Sequence, residues 1–223
     1  MPKDRFADIW TDRNRIQPEI VNDWVHNDWA KGRNQYLTFH IRIGDEKLIQ
    51  KVIEIQEKLS TIPCIYPFPR DYFHISVKGC GFLAKSEIYE DDILMKNLQK
   101  IVNQAKKVLQ PFDKFNVLLS KLNVFPQVVL VEVHDNGKIG ELNQALQTIK
   151  GIEKMEFDYP NFLPHISIAQ FQNDLEFTRL IGQLEELRET EFGELTVNRI
   201  ELVNAHLSKG CPTYKTIHSF KLR

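Results

Sequence analysis

Cysteine is scarce. Cys64, Cys80 and Cys211 are odd in number and scattered over 223 residues, which excludes a disulfide framework and any C-x₂-C metal site. An excess of one charge is also missing. With 29 Lys and Arg against 30 Asp and Glu the net charge is -1, so the broad positive field of a non-specific duplex binder is absent. No apolar run approaches the roughly 18 residues a membrane span requires. The start, "MPKDRFADIW", is charged and lacks an apolar centre, so it does not read as a signal peptide. The expectation is a cytoplasmic protein, monomeric by default, with no membrane partner and no non-specific duplex binding. Neither an H-x₃-H spacing nor a G-x-S-x-G elbow occurs, so zinc hydrolysis and a strained serine nucleophile have no support; no metal and no cofactor are expected.

What remains is the composition of an ordinary globular chain, 42% hydrophobic and 26% charged, long enough for one substantial core. Residues 1–35 stand apart, because all three tryptophans, Trp10, Trp24 and Trp29, lie there. "QPEIVNDWVHNDWA" reads as a helix with Pro18 in its first turn and Ile20, Val21, Trp24 and Val25 on one face. This segment is expected to be a helical extension packed on the core, with a flap over a ligand site as the alternative.

From Tyr36 onward strands and helices alternate. "YLTFHIRI" reads as a strand and "DEKLIQKVIEIQEKLS" as a helix with Leu48, Val52, Ile55 and Leu59 on one face. "YFHISVKGCGF" reads as a strand and "EDDILMKNLQKIVNQAKKVLQP" as a helix with acids in its first turn and lysines in its last. "FDKFNVLLSKLNVFPQ" reads as short strands joined by a turn. A second series follows: strand "QVVLVEVH", helix "GKIGELNQALQTIKG", strand "PHISIAQF" and helix "NDLEFTRLIGQLEELRE", capped by Asn173 or Asp174. "FGELTVNRIELVNAHL" and "YKTIHSFKL" close the chain as two strands around the turn "SKGCP".

The two series are in register. Tyr36 precedes His74 by 38 residues, and Gln127 precedes His165 by the same 38. A repeat of strand, helix and His-Ile-Ser strand accounts for this. The expected fold is α+β, with two pseudo-symmetric lobes, each a mainly antiparallel sheet with helices on its outer face, and a catalytic cleft between them. The lobes are placed at about 36–126 and 127–203, with a closing hairpin over 192–223.

Residues two apart on a strand share a face. His74 and Ser76 therefore project together, as do His165 and Ser167, with Ile75 and Ile166 packed behind. Facing each other across a cleft, two imidazoles can hold opposite protonation states near neutral pH and serve as general acid and general base. The two hydroxyls can donate to non-bridging phosphate oxygens. A lone His-x-Ser is more often structural than catalytic. Two in apolar strands, in register with a repeat, reverse that weighting. A third, His206 to Ser208, lies outside the repeat and ranks as a substrate contact. His40, alternating with Thr38 and Arg42, is placed at the cleft floor or surface, and Lys78, four residues beyond His74, is added to the substrate-binding candidates.

At these residues the chain resembles the two-histidine (2H) phosphoesterase superfamily, in its 2′,5′ RNA ligase-like, RNA 2′,3′-cyclic phosphodiesterase branch. The likeness runs from about Tyr36 to Leu222, including the closing "LVNAHLSKGCPTYKTIHSFKL". The resemblance implies that His74, His165, Ser76 and Ser167 are catalytic, His74 protonating the leaving O3′ of a 2′,3′-cyclic phosphate and His165 activating water. It also implies that Tyr214 lies near the bound nucleotide. Gln170 stands where the family often has arginine, and Ala205 where it often has serine, so a weaker phosphate grip or a different substrate is implied. The expected partner is RNA with a cyclic phosphate end or a small cyclic nucleotide, with 2′,5′ linkages or reverse ligation also open. The rival class is a nucleotide- or RNA-binding module of the same fold whose catalysis is lost.

Overall fold

The computed structural model describes residues 5–20, 28–208 and 210–223. Among these residues ten strands form two five-stranded sheets. The strands are β1 (Gln35–Arg42), β2 (Ile65–Pro67), β3 (His74–Ala84), β4 (Asp92–Leu94), β5 (Phe115–Val124), β6 (Val128–His134), β7 (His165–Phe171), β8 (Glu191–Val197), β9 (Arg199–His206) and β10 (Thr213–Lys221). One sheet runs β10-β9-β1-β3-β4 and the other β2-β7-β6-β5-β8. All pairings are antiparallel except the short edge pair β3–β4. The α+β, two-sheet architecture is the one expected.

The sheets do not follow the division at residue 126. β2 and β5, from the first series, belong to the sheet of β6 and β7. The stretch read as one long strand from Phe192 to Leu207 is two, β8 and β9, with Asn198 between them, and the chain changes sheet there. The closing hairpin is therefore β9–β10, with His206 opposite Thr213.

The described residues also form five α-helices: α1 (Arg5–Thr11), α2 (Glu46–Leu59), α3 (Leu98–Leu109), α4 (Lys138–Leu146) and α5 (Phe177–Leu187). The side chain of Asp45 caps α2 by accepting from the amides of Lys47 (2.8 Å) and Leu48 (3.2 Å), and Leu48, Ile49, Val52, Ile55 and Leu59 form its buried stripe. Packing crosses over between the repeats. α2, which follows β1, lies against β7 and β8 of the other sheet, whereas α4, which follows β6, lies against β3. Each repeat thus supplies the helix that backs the other repeat's His-Ile-Ser strand.

Three elements differ from the sequence reading. α3 begins at Leu98, because residues 92–94 form the edge strand β4 and Asp91 and Asp92 are ion-paired with Arg33. β5 is one strand whose pairing shifts around Lys121, a residue at φ 67. α5 starts at Phe177 without a side-chain cap, and Asn173 accepts only from the amide of Leu175. The helix expected over 17–30 has its middle, including Val21, Trp24 and Val25, outside the described residues; residues 16–20 are irregular and 28–32 form turns.

α1 docks on the back of β5. Phe6 is buried, Asn123 Nδ2 donates to its carbonyl at 3.1 Å, and the guanidinium groups of Arg13 and Arg188 both lie over the Trp10 ring.

Candidate active site

The two His-Ile-Ser strands are built alike. In β3 the pairing with β1 jumps from Ser76 opposite His40 to Lys78 opposite Phe39, leaving Val77 as a bulge. In β7 the pairing with β6 jumps from Ser167 opposite Leu130 to Ala169 opposite Val129, leaving Ile168 as a bulge. Both extra residues directly follow the motif serine, and a bulge bends its strand and re-aims nearby side chains. The carbonyl of each bulge residue accepts from a helix side-chain amide, and that of Ile168 accepts from Phe68 N as well. Asn143 of α4 donates to Val77 O at 2.8 Å, and Gln56 of α2 donates to Ile168 O at 2.7 Å. Asn143 is fully buried and completely satisfied, donating also to Asp158 and accepting from Tyr159 N and Gln147.

The imidazoles are oriented in the same way. His74 Nδ1 meets Tyr72 O at 2.5 Å, and His165 Nδ1 meets Leu163 O at 2.9 Å, in each case the carbonyl two residues back. A carbonyl only accepts, so each Nδ1 carries the proton and Nε2 is left for proton transfer. His74 Nε2 lies 3.3 Å from Ser76 Oγ. β3 and β7 adjoin although they belong to different sheets, and the rings are near enough for His165 to oppose a charge on His74. Burial first, then His40, His165 and Arg42, hold the His74 ring down to about 3, against the help of the Tyr72 carbonyl. Burial likewise lowers His165, against the Leu163 carbonyl. Both rings are neutral in the free protein at pH 7.

The substrate-binding candidates divide. Tyr214 reaches the site, its ring 4.8 Å from that of His74 and 5.4 Å from that of His40. His40 is only 1% exposed and cannot present its ring to a substrate; it packs behind His74, centroids 5.0 Å apart, with Nε2 3.4 Å from Glu201. Lys78 is 1% exposed, its ammonium bound to Asp158 (2.9 Å) and to the carbonyls of Gly79 (2.5 Å) and Glu153 (2.7 Å). All three of its donors are used, so it fixes β3 to the segment before β7. The bulge at Val77 also breaks the two-residue alternation between Ser76 and Lys78. His206 is exposed but lies on the other face of its sheet. Ala205 packs with Tyr36 and Tyr214, and alternation turns its neighbours Asn204 and His206 away; Asn204 accordingly bonds Gln35.

Other residues at the site were not singled out from sequence. Tyr72 stacks on Phe68 (3.9 Å) and meets His74 edge-on at 5.1 Å, and Phe125 meets His165 edge-on at 4.9 Å. Each lies within two residues of a strand end, a signal too common to single them out. Gln170, the departure from arginine, donates to Gly210 O at 2.7 Å and ties the β9–β10 turn to β7.

The comparisons with known proteins bear on the family and the fold. An RNA 2′,3′-cyclic phosphodiesterase of Aeropyrum pernix is 29% identical over 123 residues, which cover 49% of this chain and 66% of that protein, just under two thirds of its length. An RNA 2′,3′-cyclic phosphodiesterase of Aquifex aeolicus is 26% identical over 156 residues, covering 67% of this chain and 77% of that one. The crystal structure of E. coli LigT complexed with 3′-AMP superposes with a TM-score of 0.62 at 14% identity, over 85% of this chain and 99% of that one, a likeness of fold. The model of the 2′-5′ RNA ligase superfamily matches residues 45–208, most of the chain and both His-Ile-Ser strands, and the chain therefore belongs to that superfamily.

Proposed function

We propose that the protein is a metal-independent phosphodiesterase that opens 2′,3′-cyclic phosphates of RNA ends or small nucleotides by two-histidine acid–base catalysis. The observation that carries this reading is the paired build of the two strands: the same tripeptide, the same bulge after the serine, and the same Nδ1-to-carbonyl bond that reserves Nε2. The names of the relatives support the substrate class.

In the proposed reaction water attacks phosphorus in line with the leaving O3′. His165 Nε2 removes the water proton, and the imidazolium of His74 delivers a proton to O3′, leaving a 2′-phosphate. Ser76 and Ser167 donate to the non-bridging oxygens as charge builds on them. Because burial lowers both rings, with His40, His165 and Arg42 adding to it at His74, the acid must take its proton together with the phosphate anion, whose charge favours an imidazolium. The test is ring opening of a 2′,3′-cyclic nucleotide in EDTA, followed by phosphorus NMR. Turnover that survives chelation is expected. A loss that zinc or manganese restores would remove the mechanism.

A binding module with lost catalysis is the second reading, favoured by Gln170, which is committed to Gly210 and offers no positive charge to a phosphate. Binding of the cyclic nucleotide without ring opening would establish it.

A further inference from the structure

Arg42 is a permanent cation beside the reacting ring that the proposed reaction does not use. On β1, Phe39 and Ile41 enter the core, so His40 and Arg42 face the other way, where they lie opposite Ser76 and His74 of β3. His40 is buried there, but the Arg42 side chain is 41% exposed. Glu201 holds one edge of the guanidinium, accepting from Nε at 3.2 Å, and Thr216 Oγ1 lies 3.5 Å from Nη2. The same Glu201 oxygen also accepts from His40 and Thr216, and this carboxylate is nearly buried. Arg42 is thus anchored through Nε, while its Nη1 has no protein partner among the described residues. A guanidinium grips phosphate by two donors at once, and this anchoring presents the Nη edge. Its charge still opposes a proton on His74, although Glu201 is bound to it. Lys78 is committed to Asp158 and Gln170 to Gly210, so neither supplies a cation to a substrate.

Resting on the proposed phosphodiesterase function with His74 as its acid, we propose that Arg42 binds a phosphate carried on O5′ of the terminal nucleoside, so that the substrate has a second phosphate besides the cyclic one. The covalent structure of ribose gives the direction. O3′, the leaving oxygen, lies at His74, and C3′ leads through C4′ and C5′ to O5′. The base hangs from C1′, on the O2′ side. The 5′ substituent therefore leaves the sugar on the His74 side. His74 Nε2 lies 3.3 Å from the Ser76 hydroxyl, which places the cyclic phosphate toward Ser76. Arg42 is in the row of the sheet that contains His74, one row away from Ser76. That offset suits the next phosphate rather than the reacting one. An O5′ phosphate is a monoester on a free nucleotide and a diester in an RNA chain, and both present non-bridging oxygens to the Nη edge.

The test measures kcat/KM of the wild type, Arg42→Met and Arg42→Lys on three substrates. These are a nucleoside 2′,3′-cyclic phosphate, the same compound with a 5′-phosphate, and a dinucleotide with the same cyclic end. The wild type should favour the 5′-phosphate, the dinucleotide or both over the first compound, and the favoured arm tells a free nucleotide from an RNA end. Arg42→Met should reduce that preference roughly 10- to 150-fold, the range for hydrogen bonds to a charged group. Arg42→Lys keeps the charge without the fork and should give an intermediate ratio. Because the readout is a ratio between substrates, any effect of Arg42 on His74 or on folding cancels. Equal turnover of all three by the wild type, a preference that both variants leave intact, or an equal loss on all three would overturn the proposal. Failure of the wild type to open any of them would instead overturn the phosphodiesterase reading. In that case calorimetry decides the role of Arg42. A nucleoside 3′,5′-bisphosphate should bind more tightly than the 3′-phosphate, and Arg42→Met should remove the difference; an unchanged difference would refute it.

Discussion

His74 and His165 are neutral rings in the free protein at pH 7, and this sets the pH dependence. Because kcat/KM reports the free protein, and both rings lie below their ordinary 6.5, the form with one ring protonated is most abundant on the acid side of that value. The kcat/KM profile should be a bell centred below pH 6.5, while the kcat profile should move upward once phosphate is bound. A kcat/KM profile centred above 7 would contradict this. The serines act on the same phosphate: Ser76→Ala and Ser167→Ala should each lose roughly 2–4 kcal/mol of transition-state stabilisation, measured as kcat/KM, with melting temperatures near the wild type. The histidines and serines were legible as a spaced, repeated tripeptide. Burial at His40 and Lys78 was not, because a polar residue inside a strand announces itself in the same way whether it faces a cleft or a buried partner. Lys78→Met should cost about 3–5 kcal/mol in chemical denaturation by leaving Asp158 uncompensated.

Among the elements, the helix amides behind the bulges are the least visible part of the design and have a distinct consequence. Asn143 and Gln56 donate to the carbonyls of the bulge residues Val77 and Ile168, one residue past each serine. Asn143→Ala leaves Val77 O and Tyr159 N short of partners, a cost of roughly 1–3 kcal/mol per group. It should lower both the melting temperature and kcat, since the bulge aims His74 and Ser76. Full activity at reduced stability would confine Asn143 to a structural role. The 38-residue period revealed the repeat, but not that each helix backs the other repeat's strand, because an apolar stripe does not name its partner. The switch of sheets at Asn198 was hidden for the same reason: β8 and β9 are both apolar-patterned, with only Asn198 between them. The start of α3 was misplaced because Asp91 and Asp92 look like first-turn acids, while their partner, Arg33, is distant in sequence.

At the scale of the whole molecule, burial of three histidines makes stability depend on pH. His40, His74 and His165 are all lowered in the folded chain, so the unfolded chain binds more protons as pH falls below about 6.5, and stability falls with it. Glu201, held down to about 2 by His40 and then Arg42, adds a second loss as pH falls from 4.5 toward that value. The melting temperature should decline from pH 7 to 5, before the carboxylates titrate; a flat profile there would contradict the burial of neutral rings. The first helix belongs to this scale too. With Phe6 buried and Arg5 bonded to the carbonyls of Asn161 and Phe162, just before the Leu163 carbonyl that orients His165, removing residues 1–15 should lower both the melting temperature and kcat on a cyclic mononucleotide; unchanged kcat would confine this segment to packing.

The central claim is that the two histidines act as a pair, and the kinetics of His74→Ala, His165→Ala and the double variant on a 2′,3′-cyclic nucleotide test it most directly. Each single variant should lose roughly 10²–10⁴-fold in kcat/KM, and the double variant should fall far less than the product of the two, because the groups work in one step. A substrate with a better leaving group should rescue His74→Ala alone; rescue of His165→Ala instead would exchange the roles and keep the pair. Substantial turnover by the double variant would contradict the pairing and assign the repeated His-Ile-Ser to the duplication of the fold.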